Sequence, residues 1–197
     1  MKIVIASNNK EKIREFKEIL APFNFEVISK KEVGANFEVE ETGKTFKENA
    51  EIKAKAIFKK VNMPTLADDS GLEVFALNNK PGIYSARYSE EDGKKATDET
   101  NNIKLLKEME NVKNREARFV CALCFINSKG EIFNILETVE GKIATSPKGE
   151  NGFGYDPLFI YNNKSFAQIA ANLKNEISHR GKAISKLLKN IENWIWK

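Results

Sequence analysis

Cysteine is scarce in this chain, with two residues in 197, and histidine is scarcer still, with one. So few thiols cannot make a disulfide framework. The two that exist, Cys121 and Cys124, spell C-x-x-C, a spacing used by redox and metal sites. They sit in Arg118 to Ile126, which reads as a strand. Strand alternation sends residues three apart to opposite faces, so the pair cannot converge on one ion or form a mutual disulfide. Two buried, reduced thiols are expected instead.

Long apolar runs are also missing. The longest, Phe119 to Ile126, falls far short of the roughly 20 residues that a membrane helix needs. Met1-Lys2 leads at once into a short apolar run, Ile3 to Ala6, and then into polar Ser7-Asn8-Asn9, unlike a signal peptide. A soluble, cytoplasmic protein is the expectation. A dominant charge is lacking as well: 32 basic against 28 acidic residues leave +4. That excess is small for a nucleic-acid binder but fits a local basic site for a small polyanion. Internal repeats, low-complexity tracts and linkers are absent too.

What is present suits one domain, or two lobes around a shared core. Apolar residues make up 41% of the chain, enough for a real interior. Ile3 to Ala6 reads as a buried strand, capped by Ser7 to Asn9 and followed by a helix from Lys10 to Leu20. Phe25 to Ile28 is a second strand. Thr45-Phe46-Lys47-Glu48 is a capping box that opens a helix with Phe46, Ala50, Ala54, Ile57 and Val61 on its buried face. Leu66-Ala67 and Leu72 to Phe75 read as short strands around an acidic turn, Asp68-Asp69-Ser70-Gly71. A helix ends near Met109. A hairpin follows, Arg118 to Asn127 and Glu131 to Gly141, turning at Ser128 to Gly130. Lys148 to Asp156 is a glycine-rich loop, and Leu158 to Tyr161 is strand-like. Ile184, Leu187, Leu188, Ile191 and Ile195 mark an amphipathic last helix. The mixture implies an α/β fold.

Five clusters carry chemical promise. Ser7, Asn8, Asn9, Lys10, Glu11 and Lys12 lie where a strand gives way to a helix N-terminus, whose free N–H groups suit phosphate. Lys53 sits on or beside a buried helical face, where a lysine either snorkels outward or grips an anion. Asp68 and Asp69 offer carboxylates to a hard cation or to a water proton, with Glu38, Glu40 or Glu41 as a further ligand. Gly149 to Pro157 holds glycines and two aromatics, on which a purine base can stack. Ser178-His179-Arg180-Gly181, with Lys174 upstream, suits contacts to an anion or a base at a helix start.

These clusters, with Glu41 to Ala50 and Pro81-Gly-Ile-Tyr-Ser-Ala-Arg-Tyr88, run in register from Ser7 to Gly181. The chain thereby resembles the Ham1-type inosine triphosphate pyrophosphatase family over nearly its whole length. The resemblance implies an elongated mixed β-sheet with flanking helices, in one domain (residues 1–197) of two lobes around a substrate groove. It implies a homodimer; the small charge excess and the short apolar runs lead to the expectation of no nucleic-acid or membrane partner. It implies Mg2+-dependent cleavage of purine nucleoside triphosphates, such as those of inosine and xanthosine, to the monophosphate and pyrophosphate. Ser7 to Lys12 and Lys53 would hold the triphosphate. Asp69 would bind the metal and serve as base, with Glu41 as a second ligand. Ser70 would touch the substrate. Phe153, Gly154, Tyr155, Asp156, Lys174, His179 and Arg180 would surround the nucleoside.

Some positions depart from the pattern. Asn172 and Leu173 stand where relatives often carry acidic residues, and Asn151 stands where glycine is frequent. The stretch Glu91 to Lys95 reads as a loop variation without functional weight. Two other classes remain: a non-enzymatic nucleotide sensor, which need not keep Asp69, and a Maf-type pyrophosphatase, against which Gly-Phe-Gly-Tyr-Asp and Ser-His-Arg-Gly argue.

Overall fold

The computed structural model describes residues 1–91 and 93–196, and the side chains of all of these except 192, 195 and 196. The expectations for Asp92, within the 91–95 loop, and for the side chain of Ile195 therefore lie outside the described residues. Among the described residues, no helix is long and apolar enough to cross a membrane.

Strand β1 (Lys2–Ile5) pairs in parallel with β2 (Glu26–Ser29), and helix α1 (Lys10–Leu20) connects them. Asn9 caps α1: its side chain accepts from the amides of Glu11 and Lys12. Helix α2 (Phe46–Val61) starts at the Thr45–Glu48 capping box, which satisfies donors at both positions. It ends at Asn62, which takes the left-handed conformation.

Next comes β3 (Thr65–Val74), which pairs in parallel with β1 and antiparallel with the short β4 (Lys80–Pro81). Here the structure corrects the sequence reading. Asp68-Asp69-Ser70-Gly71 is not a turn but the middle of a continuous strand. Acidic and glycine-containing tetrads resemble turns in composition. In β3 the two carboxylates instead point to opposite faces and find cationic partners there, which removes the penalty that would otherwise break the strand.

Helix α3 (Asp98–Glu108) and the hairpin β5 (Glu116–Ile126) and β6 (Ile132–Ile143) follow, then β7 (Phe159–Tyr161) and β8 (Lys164–Ser165). Helices α4 (Ala171–Ile177) and α5 (His179–Trp196) end the chain. The sequence reading missed α4, a single short helix of seven residues, and placed Ser178 to Gly181 ahead of the last helix. In fact α5 begins at His179. The mixed sheet runs in the order β2-β1-β3-β5-β6-β7-β8, with β4 beside β3.

Two compact units divide the chain. The first comprises Met1–Asp69, Cys121–Glu137 and Arg180–Lys197. Its core joins Ile3, Ile5, Phe16, Leu20, Leu66 and Phe125 to Ile184, Leu187 and Ile191 of α5, the apolar stripe read from the sequence. The second comprises Ser70–Val120 and Thr138–His179. Its core gathers Leu72, Val74, Leu105, Phe119, Phe159 and Phe166. Burying one such side chain stabilises the fold by roughly 1.5–3 kcal/mol.

Both cysteines are free and buried, on β5. The thiol of Cys121 lies 3.2 Å from the Asp68 carboxylate. Burial, followed by the charge of Glu51, pushes the Cys124 thiol up to about 12. Cys121 facing Asp68 and Cys124 facing Glu51 are the opposed faces that strand alternation predicts.

Candidate active site

In the first unit, α1, α2, β3 and the start of α5 bring charged side chains together. The loop before α1 does so only in part. Asn9 Oδ1 accepts from the amides of Glu11 at 2.9 Å and Lys12 at 3.1 Å, and Ser7 Oγ accepts from the Asn9 amide at 3.1 Å. Two of the helix N–H groups offered to phosphate are thus already satisfied within the loop. Asn8, Asn9 and Lys10 are exposed, while Glu11 turns away to pair with Arg14 on the outer face. Lys12 alone of this loop reaches inward, to Asp68 Oδ1.

On one face of β3, Asp68 is enclosed. Its Oδ2 accepts from Arg180 Nε at 3.1 Å, and Arg180 NH1 pairs with Glu15. Burial works against the Arg180 charge, but Asp68 and Glu15 outweigh it and hold the guanidinium firmly protonated. Glu15 was not picked out from the sequence. Its one signal is its position three residues after Lys12, which places both on the same face of α1.

On the other face, Asp69 Oδ1 accepts from Lys53 Nζ at 2.8 Å, and the same ammonium lies 3.0 Å from Glu41 Oε1. Lys53 therefore does not snorkel. Burial opposes its charge, yet Asp69 and Glu41 together lift it above its ordinary value. For Asp69, burial is the largest influence and raises it above the ordinary aspartate value, a push that Lys53 and Lys12 do not cancel. Its second oxygen, Oδ2, is buried and has no hydrogen-bond partner.

That open acceptor tests whether a metal fits. A carboxylate oxygen held in place without a donor, beside a second carboxylate at Glu41, matches the few oxygen ligands that Mg2+ takes from protein while keeping several waters. Among the described residues no cluster of three or more His, Cys, Asp or Glu could form a complete metal cage. The residues fit a hydrated ion held by two carboxylates, not a fully protein-ligated one.

In the second unit the candidate residues are placed by backbone conformation. Gly149, Gly152 and Gly154 all have positive φ, as three glycines in a tight loop predict. At Gly152 a Cβ would collide with the Asp156 carboxylate, and at Gly149 with the Ala167 backbone. Asn151 is not among the left-handed residues, so the freedom of glycine is not needed at that position. Asp156 Oδ2 accepts from the Phe153 amide at 2.9 Å and from Lys174 Nζ at 2.6 Å. Lys174 Nζ also stands 4.9 Å from the Phe153 ring centroid, a cation–π contact. Lys174 lies on α4 and is buried.

The loop is tied to α3 by contacts that the sequence did not announce. The Gly154 amide donates to Asp98 Oδ2 at 2.6 Å, and Asn102 Nδ2 donates to the Gly154 carbonyl at 2.9 Å. Asp98 follows the Thr97 cap, so its first-turn position was readable but its partner was not. Tyr155 belongs to the core: its ring is buried and its hydroxyl donates to the Ser85 carbonyl at 2.8 Å. His179 stacks on Phe119, with centroids 4.7 Å apart and planes 14° apart. Ser70 lies on β3, half-buried.

A model of the Ham1 family matches residues 3–190. A dITP/XTP pyrophosphatase of Bacillus subtilis (strain 168) is 46% identical over 194 residues, spanning 96% of both chains. One from an Exiguobacterium species is 47% identical over 189 residues, spanning 95% of both. The solved Ham1 protein of Staphylococcus aureus has a TM-score of 0.85 and 47% identity, covering 98% of this chain and 99% of that one. A HAM1 protein from Coxiella burnetii has a TM-score of 0.87 and 39% identity, covering 98% and 99%.

Proposed function

The chain belongs to the Ham1 family, and from that premise we propose that it hydrolyses non-canonical purine nucleoside triphosphates to the monophosphate and pyrophosphate. The relatives named as dITP/XTP pyrophosphatases align over nearly their full length, which supports the same reaction here. The enzyme is a hydrolase of phosphoric anhydride bonds that cleanses the nucleotide pool. In this reading residues 1–197 act as one pyrophosphatase domain, in the cytoplasm, as a homodimer.

One observation carries the mechanism: Asp69 holds one oxygen on Lys53 and leaves the other, buried, without a donor. A carboxylate so placed accepts a proton from water as the water oxygen attacks the α-phosphorus and the bond to the leaving pyrophosphate breaks. Lys12 and Lys53 stand against the triphosphate, with Ser7 to Lys10 at its edge, and hold it in line. Glu41 and Asp69 would hold Mg2+, which supplies charge neutralisation for the phosphates when bound. Phe153 offers its ring to the purine for ~1–3 kcal/mol of stacking. Lys174, Asp156, His179 and Arg180 set the polar surroundings of the nucleoside, and Ser70 contacts the substrate. A non-enzymatic sensor has no use for the open acceptor on Asp69.

The test is pyrophosphate release from a panel of purine triphosphates, with and without chelator. Inosine and xanthosine triphosphates are expected to lead. Adenine presents an amino group where they present a keto oxygen, and mismatches of this kind reach ~10⁴–10⁵ in discrimination. Excess chelator is expected to abolish turnover and added Mg2+ to restore it. Comparable efficiency on adenosine triphosphate, or full activity in chelator, defeats the reading.

A further inference from the structure

Asp68 is left without a role by the chemistry above, yet it is the most completely enclosed carboxylate of the charged cluster, with no exposed side-chain surface. Donors from different elements converge on it: Lys12 from α1 on Oδ1, and Arg180 from α5 and the Cys121 thiol from β5 on Oδ2. We propose that Asp68 is a positioning residue that fixes Lys12 and Arg180 relative to each other, setting the spacing between the cation for the triphosphate and the cation for the nucleoside. This rests on the assignment of Lys12 and Arg180 to those two parts of the substrate.

The geometry argues for positioning rather than for chemistry. Asp68 and Asp69 are neighbours on a strand, so their side chains leave it on opposite faces. Asp69 keeps an open oxygen, whereas both oxygens of Asp68 are engaged. A lysine has a long, flexible stem, and a free ammonium would sample many positions. Anchored on a central strand, it waits where the phosphate arrives, and the ordering has been done before binding. The arrangement closes on itself. Arg180 also pairs with Glu15, which stands one turn from Lys12 on α1. Cations and carboxylates thus alternate from Lys12 through Asp68 and Arg180 to Glu15. A shift at Asp68 is transmitted to both cations together.

Two variants test this, Asp68→Asn and Asp68→Glu, each compared with the intact protein. The readouts are KM and kcat on inosine triphosphate, thermal unfolding, and calorimetric binding of two substrate fragments. Tripolyphosphate probes the Lys12 end and inosine monophosphate the Arg180 end. Asp68→Asn is expected to raise KM by ~10–10²-fold, the scale of an ångström-sized misplacement, with a smaller fall in kcat, and to weaken both fragments. Asp68→Glu keeps the charge and moves the anchor by one methylene, so it carries the test if the asparagine variant does not fold. Its expected rise in KM is several-fold, with both fragments again weakened. Fragment affinities and KM within about twofold of the intact protein, in either folded variant, overturn the proposal. A lowered unfolding temperature alone, or a fall in kcat alone, does so too. If the intact protein releases no pyrophosphate, the functional reading fails by itself, and fragment binding still decides the role of Asp68.

Discussion

The candidate residues fall into two halves, one in each unit, held in place by different physics. In the first unit the side chains are fixed by charge: Lys12 on Asp68, Arg180 on Asp68 and Glu15, Lys53 on Asp69 and Glu41. In the second they are fixed by backbone conformation and by rings: left-handed glycines, an amide on Asp156, a lysine over Phe153, a histidine on Phe119. The longest sequence separation lies among the charges of the first. Lys12 and Asp68 are 56 residues apart, and Arg180 and Glu15 are 165 apart, whereas Phe153 and Asp156 are separated by 3 and Asp156 and Lys174 by 18. A site made by distant charges is sensitive to removal of a charge. A site made by local backbone is sensitive to a change of allowed φ. In the proposed function, Lys12 and Lys53 of the first meet the phosphates, and Phe153 of the second meets the flat base.

Removing one charge from the first half is the largest expected blow. Asp69→Asn keeps the shape of the side chain but accepts a proton poorly, so kcat should fall by ~10²–10⁴-fold. The fall should be the same for every triphosphate tested, because the base is not discriminated here. Rapid quench or steady-state pyrophosphate release measures it, and a variant within a few-fold of the parent removes Asp69 from the base role. The pH dependence has a definite sign. Burial raises Asp69 above its ordinary 3.8, so the active carboxylate should be lost on the acid side at a pH above that value. For folding, a raised acid favours the native state most fully below 3.8 and loses that contribution as pH rises through the native value. The asparagine variant, neutral throughout, escapes that loss and is expected to remain folded at neutral pH.

A backbone change in the second half should do something else. Gly152→Ala places a Cβ against the Asp156 carboxylate at a residue with φ of 79°. The strain is about 1–3 kcal/mol, and displacing Asp156 disturbs both the Phe153 amide and Lys174. The expected signature is a KM rise of ~10-fold or more (about 1.4 kcal/mol for each factor of ten), together with weaker discrimination between purines, while kcat on saturating inosine triphosphate changes less. Equal losses in kcat for all bases would erase the distinction between the halves.

The smallest effect is expected at the two thiols: Cys121 adds only a weak S–H donor to an Asp68 already held by Lys12 and Arg180, and Cys124 lies beside Glu51. Replacing Cys121 and Cys124 by alanine should leave metal content and turnover nearly unchanged, with a stability loss of roughly 0.5–3 kcal/mol for each buried thiol. Denaturant unfolding and metal analysis check this. Stoichiometric zinc in the parent that disappears from the double variant would refute the packing account.

How much of this was legible varies from element to element. Helix α1 from Lys10 and the Thr45 capping box were readable because caps and periodicity act over a few residues. The glycine loop was readable for the same reason. The acidic tetrad was misread as a turn because local composition favours one, and only partners on both faces of β3 make it a strand. Glu15 went unnoticed since its meaning depends on Arg180. Family pattern assigns Tyr155 to the substrate; that its ring is buried in the core and its hydroxyl donates to the Ser85 carbonyl was not legible, because Ser85 lies 70 residues away.

The sequence by itself determined the α/β class, the helix starts, the hairpin, the opposed thiols and the five clusters from which a site could be made. All of these follow from interactions among residues close along the chain, where propensity and spacing suffice. Only the tertiary structure decided which charges meet. It put Asp68 and Asp69 on opposite faces of one strand, gave Lys53 two carboxylates, and tied Lys12 to Arg180 through Asp68 and Glu15. Pairing of charges across a hundred residues leaves no periodic trace in a single sequence, because attraction depends on distance in space and burial, and neither is set until the sheet and helices have packed.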